Sequence, residues 1–334
     1  MASFSFADRG QDIRFFEYFA IAVGPACRGQ LVFVRLKLNR PNTEQVAHQK
    51  KRENRMSILD KFHYSITGPR PESITGGAPV PRLVFLHGTM GYAANWRRVA
   101  RHFEDRFEVL VFDQRGHGRS FQPAIGYAAQ NFADDLEQVL DALGWDQVNL
   151  VGHSMGGRVA YRFAAEHPER VVKLVIEDIG PTNHPTSASL VVRMLDAVPV
   201  PFASKAAAKD YFHTSFVEAF DSENNVRGLA EYLFANIKEN EKGQAVWRFF
   251  EPGVRESVAQ ARADQRWEDI ESLRSPTLLL RGERSKDLPR DVFDKMLQLN
   301  DRIEGLEIQN SGHWIHSEQP ERFIRAIDEF LSRP

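Results

Sequence analysis

The sequence has a single cysteine, no long apolar run and no excess of either charge, and each absence excludes a class of protein. Cys27 has no partner in the chain, so an intrachain disulfide is excluded and oxidative export is not implied. No apolar segment approaches the ~20 residues that a membrane-spanning helix needs. A formal net charge of -2 favours neither nucleic acid nor an anionic membrane as a partner. We therefore expect a soluble, cytoplasmic protein. Its oligomeric state is left open.

Signatures of cofactor and metal binding are also missing from the sequence. No Gly-x-Gly-x-x-Gly follows a predicted strand, and that motif is the usual indication of a dinucleotide site. Histidine, cysteine and aspartate residues do not cluster at the spacing that is typical of metal ligands. The sequence therefore predicts chemistry by side chains and backbone alone, with no metal and no organic cofactor.

Residues 1–55 are an extension with the features of neither a secretory signal nor a transit peptide. Their apolar piece at residues 15–23 contains Glu17 and follows Asp8 and Asp12, whereas signals have a basic start and transit peptides are poor in acids. We expect this extension to be poorly ordered or dispensable, and the working protein to begin near Met56. Mass spectrometry of the native N-terminus tests this, and a peptide spanning residues 40–56 would contradict it.

From residue 82 the chain alternates short apolar runs with longer helical patterns. This alternation is typical of a mostly parallel sheet that is covered by helices on both faces. Strands are predicted at residues 83–86, 108–112, 148–151, 171–176, 277–282 and 305–309, and helices at residues 96–103, 127–143, 158–165 and 320–331. The helix at 127–143 should end at Gly144, a residue type that favours helix C-termini.

Residues 181–268 break this alternation, because they lack strand-like runs and are rich in aromatic residues. We expect residues 56–180 and 269–334 to form an α/β core, and residues 181–268 to form an all-helical lid. A lid inserted there would cover the strand ends, where ligands bind in such sheets. Most of its aromatic residues should form the lid's own core, and a minority should face a pocket.

The hexapeptide Gly-His-Ser-Met-Gly-Gly at residues 152–157 lies between a predicted strand and a predicted helix. A Gly-x-Ser-x-Gly in that context predicts a nucleophile elbow, a turn so sharp that glycines must flank the serine. The turn presents the Ser154 hydroxyl at a helix N-terminus, where backbone N–H groups can bind a developing oxyanion. A tight turn without chemistry is the alternative, and the flanking strand and helix favour a nucleophilic Ser154.

Four motifs occur in order: Phe-Leu-His-Gly at 85–88, Phe-Asp-Gln-Arg-Gly-His-Gly-Arg-Ser at 112–120, the hexapeptide at 152–157, and Ser-Gly-His-Trp-Ile-His at 311–316. With them, about four-fifths of the chain resembles the α/β-hydrolase fold superfamily. It is most similar to small serine esterases of the YbfF-like and ABHD11-like type. The resemblance implies a mostly parallel central sheet flanked by helices, with a helical lid inserted after the strand that ends near Asp178. It also implies that His313, in a loop near the C-terminus, is the general base for Ser154.

Other histidines near these motifs are expected to have structural roles. His87 and His117 lie in motif loops and should orient the backbone. His153 flanks the nucleophile but points away from it by the geometry of the turn. His316 is three residues beyond His313 and should serve the last helix.

The acid that orients His313 is the open question of the sequence. The superfamily usually supplies it after the strand at residues 277–282, but the matching position is Ser285, which carries no charge. In YbfF-like esterases the acid instead follows the preceding strand. In this sequence that strand is predicted at residues 171–176, and Asp178 stands at the matching position after it. We predict Asp178 as the acid and keep Asp287 as the reserve. Glu177, one residue earlier, should face the other way by strand alternation.

An oxyanion hole needs two backbone donors. The resemblance implies the N–H of Met155, the residue after the nucleophile, and an N–H from the loop after the first core strand. Thr89 is the residue that matches, and its neighbours Met90 and Gly91 are alternatives within one position.

The loop at residues 112–120 carries Asp113 and Arg115, which we expect to be structural. A buried pair between these two side chains should hold the tight, glycine-rich loop in shape. Aspartate cannot be the nucleophile here because Ser154 occupies the elbow. Epoxide hydrolases and haloalkane dehalogenases, which need aspartate at that position, are therefore improbable relatives in function.

The sequence thus predicts a serine hydrolase that cleaves a carboxylic ester of a small molecule through an acyl-enzyme. Two alternatives stay open. The same three side chains could serve hydrolysis of a carbon–carbon bond or a thioester, or lyase chemistry with the histidine as base. A ligand-binding protein without catalysis is the least favoured alternative, because the serine and histidine are both present.

Overall fold

The computed structural model describes residues 16–22, 31–37, 58–69, 80–182, 185–223 and 225–333. The chain divides into two units, residues 1–54 and 55–334. In the first unit, β1 (Phe16–Ala22) pairs antiparallel with β2 (Leu31–Lys37), a pairing that the sequence analysis did not predict. Whether this unit is dispensable stays a prediction, and Met56 lies outside the described residues.

The second unit is built on a sheet of seven strands. They are β3 (Tyr64–Thr67), β4 (Arg82–Leu86), β5 (Glu108–Phe112), β6 (Val148–His153), β7 (Val171–Glu177), β10 (Thr277–Gly282) and β11 (Ile303–Ile308). Their order in space is β11-β10-β7-β6-β4-β5-β3, and every neighbouring pair is parallel except β3 with β5. The carboxyl ends of the parallel strands therefore meet at one edge, where the motif loops leave the sheet.

Helices cover both faces of this sheet. They are α1 (Arg97–Phe103), α2 (Ala129–Leu143), α3 (Met155–Glu166), α10 (Arg290–Leu299), the short α11 (Ile315–Glu318) and α12 (Pro320–Ser332), with a 3-10 turn at Ala93–Trp96. Helix α2 ends at Gly144, as predicted, and the glycine adopts a left-handed φ of 71°. Among the described residues, no helix is long and apolar enough to cross a membrane.

Alternate strand residues point to opposite faces, which explains the two hydrophobic cores. Val84 and Leu150 pack with α2, α3 and α10 on one face. Phe85 and Val151, the next residues along their strands, pack with α1 and α12 on the other. Strands buried on both faces need continuous apolar runs, and such runs are what the sequence shows.

The segment between β7 and β10 contains α4 (Pro185–Ala197), α5 (Lys205–His213), α6 (Ser215–Ala219), α7 (Val226–Ala235), α8 (Glu251–Ala263) and α9 (Trp267–Ser272). It also contains an antiparallel hairpin of β8 (Ile237–Glu239) and β9 (Ala245–Trp247). The expectation of an all-helical lid is therefore wrong. Strands of three residues are too short to show an alternating pattern. A third hydrophobic cluster, which includes Phe212, Phe216 and Trp247, fills the interior of this segment.

Candidate active site

The nucleophile elbow is formed at the junction of β6 and α3. Ser154 lies between the last residue of β6 and the first residue of α3, with φ 54° and ψ −119°. A non-glycine residue in that region is strained by about 1–3 kcal/mol, and such strain persists only where the surroundings impose it. Ser154 caps the helix without a side-chain capping bond, so its hydroxyl is not committed to the helix N-terminus. The residue also lines a pocket.

The glycines of the elbow are required by close backbone contacts. A Cβ on Gly152 would lie 2.3 Å from the carbonyl oxygen of Gly156, and a Cβ on Gly156 would lie 2.3 Å from the carbonyl oxygen of Leu86. Real Cβ atoms essentially never approach so closely. The two glycines thus let α3 start directly against the ends of β4 and β6.

The structure brings His313 and Asp178 together. The Nδ1–H of His313 donates to Oδ2 of Asp178 over 2.8 Å, although the residues are 135 positions apart in the chain. Asp178 is fully buried. Its carboxylate also accepts hydrogen bonds from the backbone N–H of Gly282 at 2.8 Å and from the hydroxyl of Ser285. Burial raises the pKa of Asp178 above its ordinary value, and these three donors oppose that rise by stabilising the charged form.

Ser285 contacts the carboxylate of the predicted acid, a role that the sequence did not indicate. It occupies the position where the superfamily usually carries its acid, and here its hydroxyl holds the carboxylate that comes from the neighbouring strand. The same Ser285 oxygen accepts hydrogen bonds from the backbone N–H groups of Asp287 and Leu288. The loop after β10 is therefore organised around the Asp178 carboxylate.

Asp287, the reserve acid, lies near the same imidazole but farther away. Its Oδ2 is 3.5 Å from Nδ1 of His313, and its side chain is 26% exposed. Burial of His313 lowers its pKa, but the charge of Asp287 and the hydrogen bond and charge of Asp178 outweigh burial and raise the pKa to about 9. The charges of Asp287, Asp178 and Glu177 thus all raise the pKa of His313, and Asp178 also accepts a hydrogen bond from its ring.

The candidate oxyanion donors line the same pocket as Ser154. Thr89, Ser154 and Met155 all border it. Met155 begins α3, so its N–H belongs to the first helical turn, whose donors have no partner within the helix. Gly88 packs against the elbow, where an added Cβ would lie 3.2 Å from Cβ of Ser154. The loop after β4 and the start of α3 therefore meet beside Ser154.

No hydrogen bond joins the Ser154 hydroxyl to His313 among the described residues. Such bonds are often long in the absence of substrate and shorten in its complex. His153, the residue before Ser154, lies close to His313, the predicted base, and the centroids of the two rings are 4.7 Å apart. Its Nε2–H donates to the carbonyl oxygen of His313 at 2.9 Å. His153 therefore contacts the loop of the base.

A second buried acid–histidine pair lies beside the first. Glu177 accepts hydrogen bonds from the backbone N–H and from Nδ1–H of His316, at 2.8 and 2.9 Å. Glu177 therefore faces away from the His313 ring and fixes the start of α11. Within the part of the chain that the structure describes, two groups have ligand atoms close enough together for a metal ion: His153, Glu177 and His316, and Asp178, Asp287 and His313. In each group one histidine Nδ1 already makes a hydrogen bond to a carboxylate, that of His316 to Glu177 and that of His313 to Asp178.

Asp113 and Arg115 tie the loop after β5 to other elements of the fold, but the predicted ion pair between these two side chains is wrong. Arg115 pairs with Asp135 of α2 through two hydrogen bonds of 2.6 and 2.7 Å. Asp113 instead accepts hydrogen bonds from the backbone N–H groups of Ala93 and Arg119 and lies 3.1 Å from Nδ1 of His63. Its carboxylate thus joins the loop to the 3-10 turn.

The pocket beside Ser154 encloses about 870 Å³, its open mouth included. It is bordered by the loop after β4, by α2 and α3 of the core, and by α4 and α8. Phe132 and Val258 give it apolar walls, and Arg158 and Tyr161 give it polar ones. Apolar walls with a few polar side chains are typical of sites that bind a small organic molecule.

The sequence profile of the α/β hydrolase fold family matches residues 81–320. The chain belongs to this family. It is 29% identical over 270 residues to the sn-1-specific diacylglycerol lipase ABHD11 of Mus musculus. The alignment covers 78% of this chain and 83% of the lipase. It is 27% identical over 251 residues to the esterase YbfF of Escherichia coli, with 75% and 92% covered.

Solved structures agree with this assignment. A marine microorganism esterase superposes with a TM-score of 0.69 at 27% identity, and the match covers 81% of this chain and 99% of that one. The predicted α/β-hydrolase fold and the predicted similarity to YbfF-like and ABHD11-like members are therefore confirmed.

Proposed function

We propose that the protein is a serine hydrolase that cleaves a carboxylic ester of a small molecule through an acyl-enzyme intermediate. The relatives named esterase and lipase support ester hydrolysis as the activity class. The observation that carries the mechanism is the combination of a strained elbow serine with a buried Asp178–His313 pair. A cytoplasmic location stays a prediction.

In the proposed first half-reaction, Ser154 Oγ attacks the ester carbonyl while His313 Nε2 takes its proton. Asp178 keeps the Nδ1 proton of His313 in place, which fixes the tautomer with a free Nε2, and stabilises the imidazolium that forms. The N–H groups of Met155 and Thr89 bind the oxyanion of the tetrahedral intermediate. His313 then gives its proton to the leaving alcohol, and the acyl group remains on Ser154.

In the second half-reaction, water enters the pocket and His313 removes one of its protons. The resulting attack on the acyl carbon passes through a second oxyanion in the same hole. Collapse of that intermediate returns the proton to Ser154 and releases the carboxylic acid. The arrangement therefore completes hydrolysis with the side chains and backbone groups already present.

A fluorophosphonate probe tests the nucleophile directly. We expect stoichiometric labelling of the folded wild-type protein at Ser154, located by peptide mass spectrometry, and no labelling of Ser154→Ala. Absence of labelling in the folded wild type would favour a ligand-binding protein without catalysis.

A substrate series tests the bond that is cleaved. p-Nitrophenyl esters of increasing acyl length are compared with acyl-CoA thioesters and with substrates of carbon–carbon hydrolases. We expect turnover of at least one ester, with a burst of nitrophenol for those esters whose acyl-enzyme forms faster than it is hydrolysed. Turnover of a thioester or a carbon–carbon substrate with none of any ester would contradict the proposal.

A further inference from the structure

One lid side chain makes a hydrogen bond to the loop that carries the proposed oxyanion donor. Tyr232 lies on α7, and its hydroxyl donates to the backbone carbonyl oxygen of Thr89 at 2.9 Å, although the two residues are 143 positions apart. Burial raises the pKa of Tyr232 well above its ordinary value, so the hydroxyl keeps its proton and remains a donor.

The turn beneath this tyrosine is tight and strained. The N–H of Gly91 donates to the carbonyl oxygen of Gly88 at 3.0 Å, which closes the turn at residues 88–91. Met90 has a φ of 61°, in the left-handed region that a long side chain rarely adopts. Such a conformation is held by its surroundings rather than by local preference.

The lid supplies these surroundings. The buried Met90 side chain belongs to the lid's hydrophobic cluster rather than to the cores of the sheet. The Tyr232 hydroxyl also lies so near Gly91 that a Cβ there would be 2.7 Å from it. The Tyr232 ring further contacts Trp314, the residue after His313, with 5.5 Å between ring centroids. One lid residue thus reaches both the turn of the oxyanion donor and the loop of the base.

We propose that Tyr232 is a positioning residue that couples the docked lid to the geometry of the oxyanion hole. The hydrogen bond fixes the plane of the peptide between Thr89 and Met90. That plane limits ψ of Thr89 and so the direction of the neighbouring Thr89 N–H. This inference rests on the proposed function, because it concerns the hole in which the oxyanion would form.

The chain offers a matched control. Tyr211 is a second lid tyrosine, and its hydroxyl also donates to a backbone carbonyl, that of Ala197 at 2.8 Å. Both ends of that bond lie within the lid. Tyr211→Phe therefore removes the same kind of hydrogen bond from the same segment without touching the turn at residues 88–91.

The experiment compares Tyr232→Phe with Tyr211→Phe on an ester that the wild type cleaves. We expect Tyr232→Phe to lower kcat about 10- to 100-fold with KM within about twofold, because oxyanion contacts form in the transition state. Its affinity for a trifluoromethyl ketone, which forms a hemiketal oxyanion on the serine, should fall by a similar factor. Tyr211→Phe should keep wild-type kcat and inhibitor affinity, and both variants should lose a similar, small amount of thermal stability.

Several outcomes would overturn the inference. They are a wild-type kcat in Tyr232→Phe, a loss that lies in KM alone, or an equal loss of kcat in Tyr211→Phe. If Tyr232→Phe does not fold, Gly91→Ala replaces it, because the new methyl group disturbs the hydroxyl from the other side. A wild-type kcat in Gly91→Ala would also overturn it. These outcomes can be distinguished from failure of the proposed function. In that case the wild-type protein itself would neither cleave esters nor be labelled at Ser154.

Discussion

Asp287→Asn separates the two candidate acids, because the two possible roles of Asp287 predict changes of opposite sign. In the arrangement with Asp178 as the acid, Asp287 only adds negative charge 3.5 Å from Nδ1 of His313. That charge stabilises the imidazolium and helps to raise the pKa of His313 to about 9. Since the base must be neutral to accept a proton, activity should rise with pH through this pKa.

The size of the effect follows from the distance. Two unit charges 3.5 Å apart interact by about 1.2 kcal/mol even at the dielectric constant of water, which equals about 0.9 pKa unit. The site is mostly buried, so we expect the acidic limb of kcat/KM to move down by at least ~1 pH unit. At pH 7 the neutral fraction of His313 would grow about tenfold. A less basic imidazole offsets part of the gain, which leaves about a three- to tenfold rise in kcat/KM.

The assay is kcat/KM for a p-nitrophenyl ester from pH 5 to 10, read at the isosbestic wavelength of nitrophenol. Asp291→Asn, which removes an exposed carboxylate from the first turn of α10, controls for the change in net charge and should leave the profile unchanged. If Asp287 were the acid, Asp287→Asn would lose activity by orders of magnitude at every pH. An unshifted acidic limb would refute the electrostatic argument itself.

Three further predictions concern the elbow and the proposed catalytic residues Ser154 and Asp178. Asp178→Asn should lower kcat about 10³- to 10⁴-fold, measured on the same ester, because the tautomer of the base is no longer fixed. Ser154→Ala should lose at least ~10³-fold in kcat while its circular dichroism and melting temperature stay close to wild type. Gly156→Ala should lower the free energy of unfolding in urea by about 2 kcal/mol or more, because its Cβ would press on the carbonyl oxygen of Leu86. A wild-type urea unfolding midpoint for Gly156→Ala would contradict the close contact between Gly156 and the carbonyl oxygen of Leu86.

The sheet was predictable because burial on both faces leaves a local trace in the sequence. Strands β4 and β10 contain continuous apolar runs, strand β6 is mostly apolar with Asn149 inside it, and the structure places all three where the sequence predicts them. Strand β11 was predicted two residues late, at 305–309 instead of 303–308, because its middle residues are mostly exposed and include Gly305. The strands β8 and β9 have only three residues each, which is too few to show a recognisable pattern of apolar residues.

From the residues alone, the site was predictable only as far as its parts are local, and the pairing of Asp178 with His313 was expected only from the resemblance to YbfF-like esterases. Ser154 was identified by its own turn, and its neighbouring glycines are the ones whose contacts exclude a side chain. Partners distant in sequence were not predictable in the same way. Arg115 pairs with Asp135 on a different element rather than with Asp113 in its own loop. Tyr232 gave no signal at all, because its partner is a backbone carbonyl 143 residues away.

Adjacent acids at the end of β7 show how one backbone torsion separates two roles. Glu177 is the last residue of the strand, and its carboxylate holds His316 at the start of α11. Asp178 leaves the strand with a φ of 54°, its N–H still bonded to the carbonyl oxygen of Leu280 in β10. This turn directs its carboxylate to Gly282 N–H and to His313, away from the Glu177 pair. Because β7 and β10 are neighbours in the sheet, an acid after β7 can be held by the loop after β10, where the superfamily usually carries its own. The predicted acid can therefore follow β7 and still contact both the loop after β10 and His313.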